Sequence, residues 1–533
     1  MPQNCIRMKS VSTNRKDWLL LAGMVLVLLI PTFLHCRWYT PDIVAYLPIS
    51  LTVVLLVCGL ILWIPYRVVR WLVFTLLFVG TLFESAHLLV YDGDIACAGY
   101  LRSLFMTTPY EADGAFWRVI GQHAYVIATV AVAYLIVSVL LFCIRPTQAW
   151  QKWVVLAAAI LSLVLYVAVP SRVCLPLNVY VQAKEAIRQR NERNRLTAQQ
   201  DAFRYGATRS NTPEGKEIYI LIIDESLRDD HVSTEGKNHR VTMPRMGSLP
   251  PIVRYADYYA TGVFTMYAVP MMITRATPET FATSYQEWGV QQAFAECGFK
   301  TVWLTNEAQL VSDGVSDYVA RGAEILRVKR DMDMPAVVDS LCETADKLFV
   351  IMHLWGNHQF YLNADSQTSM YFPDVTTSDA VRGKEMYENA YDNCILNTDS
   401  MLLALTNVLQ KQRGIAQWIF TSDHGEGPIG DHGGAHGYTC PYESEYHVPL
   451  IIWYSDPYEK AYSGKVTNMI GHKDEPVCAD HLFWSVLDMA DIRIDRKMQQ
   501  DGMSIFSDTL LPYRRTLLLP DGKNVLRLDE SNL

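Results

Sequence analysis

Five long apolar runs lie in the first third of this chain, at about 18–35, 43–65, 71–90, 122–143 and 153–170. Each is close to the ~20 residues that a helix needs to cross a lipid bilayer. The 533-residue chain is 50% hydrophobic and 19% charged, but beyond Pro170 charged and apolar residues mix as in a globular domain. We therefore predict a transmembrane domain of five helices over residues 1–172, a bridging helix and linker over 173–215, and a globular domain over 216–533.

Basic residues beside these runs predict the orientation of the chain, because Lys and Arg accumulate in the cytoplasmic loops of membrane proteins. They are concentrated on alternate sides of the runs, at Arg7, Lys9, Arg15, Lys16, Arg67, Arg70, Arg145 and Lys152. If all five runs cross, the N-terminus is cytoplasmic and the globular domain lies outside, which for a bacterial inner membrane is the periplasm. A cleavable signal peptide is the competing interpretation of the first run, but that run is long and lacks a small-residue cleavage site.

Charge and polar composition restrict the partners of the chain. The net charge is −9 and no basic patch is interleaved with aromatic residues, so we predict no nucleic-acid partner. The segment from Val179 to Tyr205 is rich in Lys, Arg, Gln and Asn and predicts a polar helix. This helix is either a bridge along the anionic membrane surface or a solvated linker. The eleven cysteines include no CxxC pair, so no disulfide is assigned.

The globular part alternates strand-like apolar runs with helical stretches. The runs lie at 217–224, 300–305, 347–353, 417–421 and 448–454. This alternation predicts an α/β fold with a mostly parallel sheet. In such folds ligands and metals gather at the carboxyl ends of the strands.

Residues that can bind a metal follow two of these runs. The run 217–224 leads directly to Glu225, and the run 417–421 leads to Asp423 and His424. Because the carboxyl ends of parallel strands meet at one edge of a sheet, these distant segments are expected to form one site. The sequence therefore predicts a metal-dependent hydrolase or transferase, provided that a nucleophile is present.

Further histidines follow the strand runs. His358 comes shortly after the run 347–353, and His436 lies downstream of His424. A single histidine in such a place is more often structural, but the number found at candidate strand ends exceeds what that explanation covers.

The motifs of the chain, taken in order, are Ile223–His231, Gly356-Asn357-His358, Ala390–Asn393, Ser422–Glu426 and His436-Gly437. With them the chain resembles the membrane-bound phosphoethanolamine transferases of the alkaline-phosphatase and sulfatase superfamily, which include enzymes that modify lipid A and mobile colistin-resistance enzymes. The resemblance covers nearly the whole chain. It implies five transmembrane helices and an alkaline-phosphatase/sulfatase-like α/β/α catalytic domain with a mostly parallel central sheet.

The nucleophile has two candidates in this sequence. Thr265 lies in the segment Thr261–Pro270, which looks like the nucleophile segment of the family, whereas Ser226 is simply the neighbour of Glu225. A hydroxyl with a pKa far above neutrality needs activation, which a metal bound to its oxygen supplies. We favour Thr265.

The resemblance also implies the ligands of one metal ion: Glu225, Thr265, Asp423 and His424. Zinc accepts oxygen and nitrogen donors at roughly 2.0–2.2 Å. The resemblance favours Zn²⁺, while the ligand types alone also admit Mn²⁺, and the presence of a second ion stays open. His358 and His436 are then ligands of a second site, phosphate binders or proton carriers.

Two departures from the family pattern and one further match bear on this expectation. Thr261 and Met271 stand where the family has a pair of cysteines around the nucleophile, so packing must hold this loop. Asp224 replaces the usual glycine, and it either perturbs the site or faces away from it. In the membrane half, Thr107 and Glu111 match a family segment whose acid is implicated in holding the ethanolamine of the donor.

These observations predict a two-step transferase. It would move phosphoethanolamine from phosphatidylethanolamine, through a phosphothreonine, to a cell-envelope acceptor such as lipid A, the lipopolysaccharide core or a periplasmic glycan, and we expect it to be a monomer. The alternative is a phosphoglycerol transferase that uses phosphatidylglycerol. A sulfatase lacks support because no Cys-x-Pro-x-Arg or Ser-x-Pro-x-Arg motif occurs, and an inactive membrane scaffold would not need all four ligands.

Overall fold

The chain divides into two compact units, one of residues 1–101 and 109–188 and the other of residues 102–108 and 189–533. The computed structural model describes residues 11–106, 109–143, 151–168, 173–198, 200–237, 239–249, 251–306, 319–358, 361, 383–430, 434–511 and 515–528.

Helices predominate among the described residues as far as residue 197. They are α1 (Val11–Leu28), α2 (Ile30–Trp38), α3 (Ile43–Trp63), α4 (Arg67–Val90), α5 (Ala98–Met106), α6 (Pro109–Cys143), α7 (Gln151–Ala168) and α8 (Leu175–Thr197). Most of the described residues in each of the five apolar runs are therefore helical. The polar helix predicted over 179–205 is present as α8, but it ends earlier, and a short 3₁₀ turn, Gln200–Ala202, follows it.

Three of the described helical segments are long and apolar enough to cross a membrane, namely α3, α4 and residues Ala124–Cys143 of α6. The segments Lys16–Leu28 and Ile30–Trp38 meet at a bend of 45° and count as a fourth if they form one span. Pro31, in the first turn of α2, explains this break because proline cannot donate the backbone hydrogen bond that would continue α1. That all five apolar runs cross stays a prediction.

A seven-stranded sheet organises the second unit. Its strands are β2 (Glu217–Asp224), β3 (Ile252–Arg254), β5 (Lys300–Thr305), β6 (Glu324–Arg327), β7 (Lys347–His353), β8 (Ile415–Ser422) and β9 (Leu450–Tyr454). Their order is β3-β9-β8-β2-β7-β5-β6. Only β9 runs antiparallel to its neighbours, so the prediction of a mostly parallel sheet is confirmed.

Helices cover both faces of this sheet. One face packs against α9 (Thr265–Ile273), α10 (Gln291–Glu296), α13 (Asp456–Ala461), α14 (Ser463–Gly471) and α15 (Leu482–Met489). The other packs against α11 (Met334–Thr344) and α12 (Lys384–Lys411). The central strand β2 is buried along its whole length, as expected for a parallel strand that contacts helices on both sides.

Short strands complete the second unit. They are β1 (Thr208–Arg209), β4 (Tyr258–Tyr259), β10 (Val477–Cys478), β11 (Ile492–Arg493), β12 (Thr516–Leu518) and β13 (Val525–Arg527). The pairs β1–β11 and β12–β13 are antiparallel, and β4–β10 is parallel. The apolar-run pattern identified none of these strands, nor β3 and β6, because each has four residues or fewer.

Candidate metal centre

Two adjacent strands bring the predicted ligands together. Strands β2 and β8 are parallel neighbours, and Asp224 pairs in register with Ser422 at their carboxyl ends. Glu225 and the Asp423–His424 pair are the next residues along each strand. The register of the sheet therefore places side chains almost 200 residues apart in sequence at one edge.

The donor atoms of Glu225, Asp423 and His424 converge in a buried position. His424 Nε2 lies 3.4 Å from Glu225 Oε1 and 3.5 Å from Asp423 Oδ2. All three side chains are at most 3% exposed, and their ligand atoms lie within 4.8 Å of one another. The group could thus hold a metal ion.

The hydrogen bonds around Asp423 and His424 leave Asp423 Oδ2 and the His424 Nε2 lone pair facing the cluster. Asp423 Oδ1 accepts from the backbone N–H groups of His424, at 2.7 Å, and Ser226, at 3.3 Å, whereas Oδ2 has no hydrogen-bond partner among the described residues. His424 Nδ1 donates to the carbonyl of Gly425 at 2.7 Å, which leaves the Nε2 lone pair facing the carboxylates. Burial lowers the pKa of His424 to about 4. The neutral imidazole and the unpartnered carboxylate oxygen fit a divalent cation.

Thr265 lies against the same cluster. It is the first residue of α9, and its Oγ1 is 3.2 Å from each carboxylate oxygen of Glu225 and 3.4 Å from His424 Nε2. Its side chain is half-buried, unlike the three buried ligands. A helix N-terminus also stabilises nearby negative charge, so a hydroxyl here faces both a cation site and an environment that suits a phosphate group.

Ser226 occupies a different environment. It is fully buried and has a φ of 58°, which places it in the left-handed region at the sharp turn after β2. Its Oγ donates to Glu225 Oε1 at 3.1 Å, and its carbonyl accepts from the Tyr391 hydroxyl at 2.7 Å. The residue thus shapes the turn that presents Glu225.

His436 stands beside the cluster, as predicted. Its ring centroid lies 4.2 Å from that of His424, and its Nδ1 lies 3.4 Å from Glu426 Oε1. Burial alone would lower the pKa of His436, but the Glu426 carboxylate raises that pKa above its ordinary value. Glu426 also accepts from the Tyr361 hydroxyl at 3.3 Å.

The remaining predicted site residues are His358, Thr107 and Glu111. His358 follows β7 in the turn from Gly356, and the backbone N–H of Asn357 in that turn donates to the carbonyl of Glu225 at 2.9 Å. Thr107 lies outside the described residues, and the side chain of Glu111, on α6, does too.

Asp224 lies next to this His358 turn. It is fully buried and accepts from the Glu225 N–H at 3.1 Å. Burial and the neighbouring Asp331 hold its pKa well above the ordinary range. A Cβ on Gly356 would overlap the Asp224 carboxylate, so the side chain is directed at the β7 turn.

A second His/Asp group was not predicted from the sequence. Asp392, on α12, accepts from His231 Nδ1 at 2.7 Å and from His239 Nε2 at 2.9 Å, and it also pairs with Arg240. These separations are those of N–H···O hydrogen bonds, and the Arg240 guanidinium already neutralises the carboxylate. The group therefore forms a hydrogen-bonded network that fastens the loop after Glu225 to α12.

Glu445 is a second residue that the sequence did not reveal. It is fully buried and accepts from the backbone N–H groups of Gly437, Tyr438 and Tyr442, and its carbonyl accepts from Gly425 N–H. Burial raises its pKa to about 8. It connects the loop of His424 to the loop of His436. No local motif marks it, because its partners are backbone groups brought near only by folding.

The loop before Thr265 is held without a disulfide. Thr261 and Met271 are both fully buried, and the ten cysteines among the described residues form no disulfide. The burial of both side chains agrees with the expectation that packing holds this loop.

Comparison with known proteins agrees with this geometry. The sequence pattern of the family described as Sulfatase matches residues 217–492, about half of the chain and all the residues of the cluster. The chain belongs to the sulfatase family. The matched segment begins at β2 and ends at β11, so the family's core corresponds to the sheet and the helices that cover it.

The individual relatives have low sequence identity to this chain. This sulfatase-family chain is 27% identical over 249 residues to the putative transferase YhbX of Escherichia coli K12, covering 45% of this chain and 44% of the relative. It is 28% identical over 288 residues to the phosphoethanolamine transferase EptA of Helicobacter pylori, covering 50% and 52%. These matches span about half the length of the curated relatives.

One solved structure matches over almost the full length. The integral membrane lipooligosaccharide phosphoethanolamine transferase A (EptA) from Neisseria meningitidis superposes with a TM-score of 0.69 at 15% identity, covering 91% of this chain and 98% of that one. At this identity the match establishes the fold alone. It confirms the predicted architecture, in which membrane helices precede a sulfatase-like α/β domain.

Proposed function

We propose that this chain is a metal-dependent phosphoethanolamine transferase of the bacterial inner membrane. It would take phosphoethanolamine from phosphatidylethanolamine and pass it to a cell-envelope acceptor, with the lipid A or core region of lipopolysaccharide as the leading candidate. The sequence relationship to EptA supports the reaction class, and the resemblance of the motifs supports the donor.

The observation that carries this proposal is the position of Thr265. Its hydroxyl is within 3.4 Å of both Glu225 oxygens and of His424 Nε2, and it is half-buried at the start of a helix. A group that only completed a ligand set would not need to be accessible. An accessible hydroxyl among cation ligands is the arrangement that a covalent phosphotransfer requires.

The ligands proposed for the ion are Glu225, Asp423, His424 and Thr265. When bound, zinc would lower the pKa of the threonine hydroxyl and withdraw charge from the phosphoryl group. One nitrogen and several oxygen donors suit Zn²⁺, with Mn²⁺ as the alternative. One ion is proposed here, since the described residues supply one convergent donor set at this sheet edge.

The reaction would proceed in two displacements. Thr265 would enter and leave as the alkoxide, its hydroxyl proton having passed to water. Its Oγ forms a bond to the phosphorus of the donor, the bond from phosphorus to the diacylglycerol oxygen breaks, and His436 gives that oxygen a proton. An acceptor hydroxyl then attacks the phosphothreonine and loses its proton to His436, and the bond from phosphorus to Thr265 breaks. His358 is proposed to bind the phosphate, and Thr107 and Glu111 to bind the ethanolamine of the donor.

The reaction class is tested with the purified full-length protein in mixed vesicles. Phosphatidylethanolamine should release diacylglycerol, and mass spectrometry should find an added phosphoethanolamine on lipopolysaccharide or on a periplasmic glycan. Release from phosphatidylglycerol alone would instead establish a phosphoglycerol transferase. Release from neither lipid would refute both assignments.

His436→Gln tests the proton carrier. Loss of a positioned general acid should slow transfer from phosphatidylethanolamine by about 100-fold or more, because the alkoxide that leaves is strongly basic. With p-nitrophenyl phosphoethanolamine the loss should be less than about tenfold, since nitrophenolate leaves without a proton. Release rates for both donors, together with the bound metal, provide the measurement. Equal losses with the two donors would contradict proton donation by His436.

The topology is a separate proposal with its own test. With a cytoplasmic N-terminus and five crossings, an alkaline phosphatase fused after Leu533 should be active, because this reporter folds only where disulfides form. A β-galactosidase fused at the same place should be inactive. The opposite pair of activities would reverse the orientation and exclude a periplasmic reaction.

A further inference from the structure

The segment that leads into the nucleophile helix is paired with the C-terminus of the chain. Strands β12 and β13 form a hairpin, here called the C-terminal hairpin, of residues 515–528. Gly262 forms a parallel bridge to Leu518, and Leu518 N–H donates to the carbonyl of Thr261 at 2.8 Å. The hairpin therefore holds the backbone three and four residues before Thr265.

The hairpin also buries a side chain of this segment. Val263, which is fully buried, forms a separate apolar cluster with Leu517 and Leu528 of the hairpin. This cluster is distinct from the two large cores on the faces of the sheet. The side chain two residues before the nucleophile is thus covered by the hairpin.

The turn of the hairpin packs against α9 just after Thr265. Gly522 has a φ of +67°, and a Cβ on it would come within 2.7 Å of Tyr267 Cζ. Tyr267 lies on α9 two residues after Thr265 and is fully buried. Asp521 fixes this turn by accepting from the N–H groups of Lys523 and Asn524 at 3.0 and 2.9 Å.

The other three proposed ligands are held by other elements. Glu225 and Asp423 are fixed by the pairing of β2 with β8, and the Tyr391 hydroxyl holds the turn that follows Glu225. His424 is fixed by its own hydrogen bond to Gly425. A disturbance of the hairpin should therefore move Thr265 while leaving the cation ligands in place.

We infer that the C-terminal hairpin is a positioning element that holds Thr265 Oγ1 in line with the Glu225–Asp423–His424 cluster. The inference rests on the proposed function, because it assigns Thr265 as the nucleophile. Covalent catalysis tolerates little displacement, and a shift of ~1 Å in a reacting group can cost about 100-fold in rate. The hairpin supplies restraint on both sides of the nucleophile, at Val263 and at Tyr267.

Gly522→Ala in the full-length protein tests the inference. The added Cβ should press on the Tyr267 ring and displace the start of α9, so we expect kcat to fall by about 10- to 100-fold with KM for the donor and bound metal unchanged. The matched control is Gly298→Ala. Gly298 also has a positive φ, of +84°, but nothing lies within 4 Å of its Cβ position. Gly298→Ala introduces backbone strain at a positive φ but no steric contact, so this variant should keep kcat within about twofold.

Amide hydrogen exchange provides a readout that does not depend on the substrate. Exchange over 261–268 should increase in Gly522→Ala and not in Gly298→Ala. If the exchange changes as expected but neither protein transfers phosphoethanolamine, the proposed function fails and the positioning role stands. Unchanged exchange and unchanged kcat in Gly522→Ala would overturn the positioning role.

A second pair of variants covers the case in which Gly522→Ala does not fold. Leu517→Ala removes the hairpin side chain next to Val263, whereas Leu409→Ala removes an equally buried leucine near the end of α12. Both should lower the unfolding temperature. At a temperature where both are folded, only Leu517→Ala should lose kcat, by about tenfold or more. Equal kcat in the two variants would refute the role of the hairpin.

Discussion

Thr265→Ala should reduce phosphoethanolamine transfer by about 1,000-fold or more, since removing a covalent nucleophile leaves only binding and electrostatic effects. Wild-type protein incubated with phosphatidylethanolamine and no acceptor should release diacylglycerol in a burst and carry phosphoethanolamine on the peptide around Thr265. The variant should show neither. Because the hydroxyl is half-buried and not part of the core, the variant should keep most of its stability. Mass spectrometry of the digested protein measures the adduct.

Two further variants test whether the adduct forms on Thr265 and not on Ser226. Thr265→Ser keeps a hydroxyl at the start of α9 and should retain the adduct, although at a lower rate. Ser226→Ala removes the other candidate and keeps the Cβ at the positive-φ turn, so it should still form the adduct. An adduct on Ser226 would reverse the assignment, and full turnover by Thr265→Ala would exclude the covalent mechanism.

Asp423→Asn should weaken metal binding by at least about 100-fold and reduce transfer in parallel. The amide retains an oxygen that can accept from the N–H groups of Ser226 and His424, as Oδ1 does now. It replaces Oδ2, the atom that has no hydrogen-bond partner among the described residues, with a neutral NH₂ that cannot act as a ligand. Metal content after dialysis, measured by elemental analysis, gives the result, and added Zn²⁺ or Mn²⁺ shows which ion restores the wild-type protein.

The hydrogen-bonded network on α12 supplies the matched control for metal content. His239→Gln alters a His/Asp group of similar composition whose N···O separation, 2.9 Å, is that of a hydrogen bond. This variant should bind as much metal as the wild type. Metal loss in His239→Gln but not in Asp423→Asn would place the ion at Asp392 and refute the proposed centre.

The membrane helices, the parallel sheet and the cluster of Glu225, Asp423 and His424 were all predictable from local patterns. Apolar runs of about 20 residues admit few structures other than helices in a bilayer or a core. The buried strand β2 is a continuous apolar run, and the motif residues Glu225, Asp423 and His424 come immediately after strand ends. These features depend on a few consecutive residues, which is why the sequence alone was sufficient.

The residues that hold the loops around the site in place were not predictable from local patterns. Glu445 contacts three backbone N–H groups, and Asp392 gathers two histidines and an arginine from a loop more than 150 residues away. Neither contact leaves a periodic or local signal in the sequence. Edge strands such as β6, with four largely exposed residues, were missed because they lack an apolar run.

The choice between Thr265 and Ser226 as the proposed nucleophile separates what the sequence determined from what only the fold could show. The sequence by itself determined that a threonine and a serine lie near candidate ligands, and that packing must replace any disulfide at Thr261 and Met271. Only the tertiary structure decided that Ser226 is buried in the turn after β2 while Thr265 is accessible beside Glu225 and His424. It also decided that the packing comes from the far C-terminus, through Leu517 and Gly522. The physical reason is that accessibility and long-range pairing arise from strand register and chain crossing, which no short stretch of residues encodes.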